Sequence, residues 1–115
     1  MIYNAYVLDW TMNNYEVLKQ KLKESKFDFI KEKGKQHIRV DVPFSRTKEF
    51  FSLAKLYLNT PYNYIDIQFP KEKKTILVFS EKLIKLCNQQ ENEAAKRWAI
   101  KKGLPPKQAD WATSY

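Results

Sequence analysis

The sequence predicts an α+β fold: a single domain, residues 1–115, whose antiparallel sheet follows the split βαβ (ferredoxin-like βαββαβ) order, extended by an extra strand and C-terminal helices. Three observations predict it. Apolar residues switch between a two-residue and a roughly 3.6-residue period in the order strand, helix, strand, strand, helix, strand before Pro70. Only 2 glycines and 5 prolines interrupt 115 residues, which favours long regular elements. Apolar residues make up 43% and charged residues 30%, a balance that excludes disorder and points to one hydrophobic core.

Each element has its own warrant. Residues 2–9 are aromatic and aliphatic without helix caps, and predict a first strand. Thr11 to Asn14 supply N-caps, after which Tyr15, Leu18 and Leu22 form the apolar face of a helix over 14–25. Runs at 27–33 and 36–42 flank Gly34-Lys35, and Ile38, Val40 and Val42 alternate with His37, Arg39 and Asp41, the pattern of a hairpin. Pro43 stops that strand, and Ser45 is expected to cap a helix over 46–58 whose inner face is Phe50, Leu53, Ala54, Tyr57 and Leu58. Residues 64–69 and 75–79 read as a second hairpin around Pro70-Lys71-Glu72-Lys73-Lys74. Ser80 is expected to cap a helix carrying Leu83, Ile84 and Cys87 on its apolar face. From Glu91, Ala94, Ala95, Trp98 and Ala99 predict a helix closed by Gly103, and Pro106 opens a short helical turn through Trp111. Residues 1–70 thus form the βαββαβ core, 71–103 the additional strand and helix, and 104–115 a C-terminal Pro/Trp segment.

Composition narrows the function by exclusion. Twenty-one basic against 13 acidic residues give a net charge of +8, enough to steer acidic partners. Only Arg39, Arg46 and Arg97 are arginines, and lysine lacks the planar fork that grips phosphate bidentately. A single cysteine, Cys87, excludes an internal disulfide, and with the single histidine, His37, it cannot build a four-ligand zinc site. The cytoplasm is the expected compartment. No apolar run approaches the ~20 residues that span a bilayer, so no membrane partner is expected.

Catalytic chemistry finds little to work with. His37 has no nucleophile motif around it, and Cys87 reads as a small core hydrophobe. Asp66 followed by Glu72-Lys73-Lys74 faintly resembles a metal-dependent nuclease constellation, but Glu72 falls in a turn where its carboxylate is expected to swing in water. No glycine-rich phosphate loop exists, and no cofactor is expected.

Binding remains. Lysines cluster at Lys31, Lys33 and Lys35, at Lys71, Lys73 and Lys74, and at Lys96, Arg97, Lys101 and Lys102; turn solubility and the helix macrodipole explain all three without a ligand. Lys33-Gly34-Lys35-Gln36-His37-Ile38-Arg39-Val40, placed third in a βαββαβ order, resembles the corresponding strand of the RNA-recognition module, whose sheet stacks bases on aromatics. Here Lys35, His37 or Ile38 replace those aromatics, leaving Tyr3 and Tyr6 of the first strand to stack.

Aromatics, 15% of the chain, exceed what a small core must hide, and Tyr and Trp are enriched at protein interfaces. The resulting expectation is a non-enzymatic regulatory or adaptor protein acting by protein–protein interaction, with a protein partner or with itself as a homodimer through a sheet edge or the C-terminal segment. Nucleic-acid binding is the second reading. The candidate binding residues are Lys31, Lys33, Lys35, His37, Arg39, Lys96, Arg97, Trp111 and Tyr115. Leu104 and Trp111 are suited to tie residues 104–115 back onto their own domain, the alternative being docking on a partner or a second copy; deleting the segment is expected to leave a folded domain with altered association.

Overall fold

Alternation of side chains sets the sheet. In β1 (Ile2–Leu8) Tyr3, Ala5 and Val7 are buried while Ile2, Asn4 and Tyr6 face solvent; in β3 (His37–Pro43) Ile38, Val40 and Val42 are buried. The computed structural model, which describes residues 1–115, adds β2 (Asp28–Lys31), β4 (Ile65–Phe69), β5 (Lys74–Val78) and β6 (Leu83–Leu86). The six strands lie in the order β2-β3-β1-β4-β5-β6, and every neighbouring pair is antiparallel. Helix α1 (Tyr15–Glu24) carries the chain from β1 past β3 to β2, and α2 (Thr47–Ala54) carries it from β3 past β1 to β4. Gly34, with φ of 76°, supplies the left-handed residue in the turn between β2 and β3.

Two cores form where one was expected, one on each face of the sheet. On the first face Leu18 and Leu22 of α1 and Phe50, Phe51 and Ala54 of α2 pack on Ala5, Val40, Ile67 and their neighbours. On the second, Ala95 and Ala99 of α3 (Gln89–Lys101) pack with Leu104 and Trp111 on Leu77, Phe79 and Leu86. The cause lies in β5, where Leu77 and Val78 are adjacent and both fully buried, so that strand needs cover on both sides. Strands β3 and β1 alternate strictly and are covered on one face alone, and the edge strand β2 turns only the half-buried Phe29 toward that core.

Leu83 to Leu86 is the clearest departure from expectation: it is the edge strand β6, paired with β5, not a helix, so two strands extend the sheet. A turn at Ser80-Glu81, closed by the Phe79 amide donating to the Lys82 carbonyl at 2.9 Å, reverses the chain and sets Ile84 and Leu86 opposite Leu77 and Thr75. Cys87 therefore leaves the apolar face and is exposed. Its amide donates to Glu91 Oε1 at 2.7 Å while Asn88 Oδ1 accepts from the Glu91 amide at 2.9 Å, and this pair starts α3 two residues before Glu91. Ser45 likewise makes no cap; a 3-10 turn over Phe44–Arg46 precedes α2, which Arg46 opens.

The C-terminus of α1 carries a strained residue. The Phe27 amide donates to the Leu22 carbonyl and the Lys26 amide to that of Lys23, a Schellman closure that places Lys26 at φ 62°. A side chain there costs about 1 kcal/mol relative to glycine. Arg46 secures the same end, donating to the Ser25 carbonyl at 2.6 Å and stacking 3.9 Å over the Phe27 ring. Lys26→Gly is expected to stabilise the fold by about 1 kcal/mol; a urea midpoint at or below that of the unsubstituted chain would show that the left-handed turn stores no such strain.

Candidate functional site

The two halves of the second face differ. Over β4 and β5 the C-terminal segment lies flat on the sheet, held by the Gln68 side chain. Gln68 Nε2 donates to the Ala112 carbonyl at 3.0 Å and to Asp66 Oδ2 at 2.9 Å; its Oε1 accepts from the Thr75 and Ser114 hydroxyls, each at 2.6 Å. All four hydrogen-bonding positions of that amide are filled, so the segment is docked in register. Over β1, β3 and β2 nothing covers the face, and Ile2, Tyr6 and Ile30 stand 61%, 47% and 47% exposed.

A groove of about 330 Å³ runs along the boundary between these halves. Tyr6 and Leu8 of β1, Trp10, Tyr64 just before β4, Asp66 and Asp110 line it. Hydrogen bonds hold the backbone at Trp10 and the side chain of Tyr64. The Trp10 carbonyl accepts from Asn59 Nδ2 at 2.9 Å, and the adjacent Thr11 hydroxyl donates to the Leu8 carbonyl at 2.7 Å. Tyr64 donates to the Gln108 carbonyl at 3.2 Å and meets the Trp111 ring edge-on at 5.2 Å. Trp111 Nε1 in turn donates to the buried Asn92 Oδ1 at 2.7 Å.

The candidate binding residues are dispersed. Trp111 is 7% exposed and belongs to the second core, so it backs the groove wall instead of meeting a partner. Tyr115 is 38% exposed, its hydroxyl donating to Gln89 Oε1 at 2.9 Å. Lys31, Lys33 and Lys35 surround the turn between β2 and β3 at one edge of the sheet, where Lys31 Nζ reaches the Lys35 carbonyl. Lys96 and Arg97 ride on α3, which packs beside β6 at the opposite edge, so the two basic groups do not join. His37 and Arg39 do share the open face with Tyr6. His37 meets the Tyr6 ring at 5.3 Å and pairs with Glu32 at 3.2 Å, and Arg39 Nε lies 3.4 Å from Asp41. Tyr3 points the other way, into the first core, so it cannot share a stacking platform with Tyr6.

Glu72 does not swing in water. It accepts the Tyr3 hydroxyl at 2.6 and 2.8 Å, on the first-core side of the sheet, whereas Asp66 points into the groove on the other side. The two carboxylates of the nuclease-like pattern are thus held on opposite faces. No cluster of three or more His, Cys, Asp or Glu side chains has the geometry to hold a metal ion.

Two phenols record the local field. Burial, and then the charges of Asp66 and Asp110, push Tyr64 up to about 12; burial, and then the Glu72 hydrogen bond and charge, push Tyr3 up to about 12. A free phenol titrates near 10, so between those values the unfolded chain releases protons that the folded chain keeps. The contribution is present in full below pH ~10 and is lost as pH rises toward ~12. Melting temperature is expected to fall between pH 10 and 12, and Tyr64→Phe to shallow that fall; an identical slope in the variant would refute the assignment.

Fold and site together define an α+β protein whose six-stranded antiparallel sheet is covered fully on one face and by half on the other. No helix is long and apolar enough to cross a membrane. No protein-family model, curated protein or solved structure matches the chain.

The groove escaped the sequence because its residues come from three segments, 6–11, 63–66 and 104–110. Strand alternation marks Tyr6 and Asp66 as side chains of non-core faces. Nothing local says that Ala5 pairs with Ile67 and so brings β1 beside β4.

Proposed function

We propose that this chain is a small cytoplasmic binding protein without catalytic activity, a regulatory or adaptor module that docks a partner polypeptide on the uncovered half of its sheet. The observation that carries this reading is that Ile2, Tyr6 and Ile30 stand exposed on the uncovered face, interspersed with Asn4 and Arg39, and that Tyr6 also lines a preformed groove. Apolar side chains gathered on one face, rimmed by polar groups, are characteristic of interaction surfaces. Charge favours a polypeptide over a nucleic acid: His37 and Arg39 are already opposed by Glu32 and Asp41, and phosphate would meet Asp66 and Asp110 in the groove. The free, exposed Cys87 supports the cytoplasmic assignment. The interlocked crossovers of α1 and α2 over β2-β3-β1-β4 support reading that part as a split βαβ, ferredoxin-like unit, with β5, β6, α3 and the C-terminal segment added to it.

Photo-crosslinking tests the reading. A benzophenone amino acid at Tyr6 is expected to capture a discrete protein, or a second copy of the chain, in cells. The same group at Leu56, 73% exposed beyond α2, is expected to capture neither. Equal adducts from both positions would defeat the proposal. Adducts to nucleic acid, with affinity falling steeply in salt, would replace it with the second reading, in which Lys31, Lys33 and Lys35 extend the face.

A further inference from the structure

We propose that the groove between β1, β4 and the C-terminal segment is a receptor for an alkylammonium group, the side chain of a lysine on the partner polypeptide. The inference rests on the reading of the open sheet half as a docking surface and names what that surface recognises.

The groove combines aromatic side chains with unpaired negative charge. Tyr6, Trp10 and Tyr64 line it together with Asp66 and Asp110. Aromatic rings present negative faces, and a cation held among them is attracted by their quadrupoles. Neither carboxylate is paired. All six ion pairs of the chain involve other acids, although basic residues outnumber acidic ones 21 to 13. Asp66 receives a hydrogen bond from Gln68 alone, which leaves its charge uncompensated.

The field these groups create is already felt within the protein. The charges of Asp66 and Asp110 both act against ionisation of the Tyr64 phenol, and a potential that opposes a new anion there attracts a cation. Size points the same way. At about 330 Å³ the groove is near the lower end of the ~300–1,000 Å³ range of ligand sites, suited to one extended side chain. The Tyr64 side chain is held before anything binds, through Gln108 and Trp111, and Asn59 holds the Trp10 backbone. Less ordering is left for the ligand to impose on the Tyr64 side, which favours affinity.

The test uses the full chain and two capped tripeptides, Gly-Lys-Gly and Gly-norleucine-Gly, which differ only by the ammonium group. Nitrogen-15 NMR titration follows the Trp10 indole signal, with Trp98, which packs on Phe79 and does not line the groove, as an internal control. The lysine peptide is expected to shift Trp10 with millimolar affinity, and the norleucine peptide to bind at least fivefold more weakly. The double substitution Asp66→Asn with Asp110→Asn is expected to weaken lysine binding at least fivefold; Trp10→Ala, at an exposed side chain, is expected to do the same. Equal shifts from both peptides, shifts that reach Trp98 as strongly as Trp10, or no shift at all would overturn the inference. If both variants misfold, the paired peptides on the unsubstituted chain still decide it. Discrete protein crosslinks at Tyr6 without lysine selectivity would leave the docking surface standing and remove the ammonium site alone; scattered crosslinks with lysine selectivity would do the reverse.

Discussion

Trp111→Ala is expected to destabilise the protein by about 3–5 kcal/mol, the usual cost of deleting a large buried aromatic. Trp111 is 7% exposed, fills the second core beside Tyr64, and donates its only hydrogen bond to Asn92, itself 6% exposed. The substitution leaves a cavity and also an unsatisfied buried amide, and the two penalties add. Deleting residues 104–115 removes Leu104 and Ala109 as well, and it uncovers Leu77, Phe79 and Leu86. That loss rivals the whole stability of an ordinary domain, about 5–15 kcal/mol. The truncated chain is expected to be unfolded or to expose a wide apolar surface, contrary to what the sequence suggested for a Pro-rich tail. Urea unfolding followed by circular dichroism measures both variants. A truncated chain with an unchanged midpoint would mean that the segment is not core.

Phe50→Ala is expected to cost a similar 3–5 kcal/mol on the other face. Phe50 is fully buried and meets Phe27 edge-on at 5.8 Å and Phe51 at 6.3 Å, in the core beneath α1 and α2. Phe50 and Trp111 belong to different cores and share no partner, so their costs are expected to add within ~0.5 kcal/mol. The double variant is then expected to be unfolded at 25 °C without denaturant. A double variant no less stable than either single one would instead mean that the two faces unfold independently, with the sheet failing to couple them.

Legibility followed the length and purity of each pattern. His37 to Pro43 has three buried residues alternating with half-buried ones over seven positions, enough to fix a strand and its orientation. Leu83 to Leu86 offers four residues; Leu83 and Ile84 with the following Cys87 fit a helix turn as well as Ile84 and Leu86 fit a strand, and pairing with β5 decided the outcome. Trp111 stood out by type, but burial or exposure of a tryptophan is set by what lies opposite it. Here that is Asn92 and Tyr64, 19 and 47 positions away. Glu72 drew attention for its order after Asp66, and its actual partner, Tyr3, is 69 positions distant. The groove was least legible, since no single segment contributes more than part of it.

By itself the sequence determined the α+β class, the first core and the shortage of catalytic groups, because these depend on residue type and on periods repeated within one element. Only the tertiary structure decided that Leu83 to Leu86 is a strand, that the C-terminal segment closes a second core, and that Tyr6, Trp10, Tyr64, Asp66 and Asp110 meet in one groove. The physical reason is that long-range strand pairing and burial on both faces of a sheet join residues whose local surroundings carry no trace of one another.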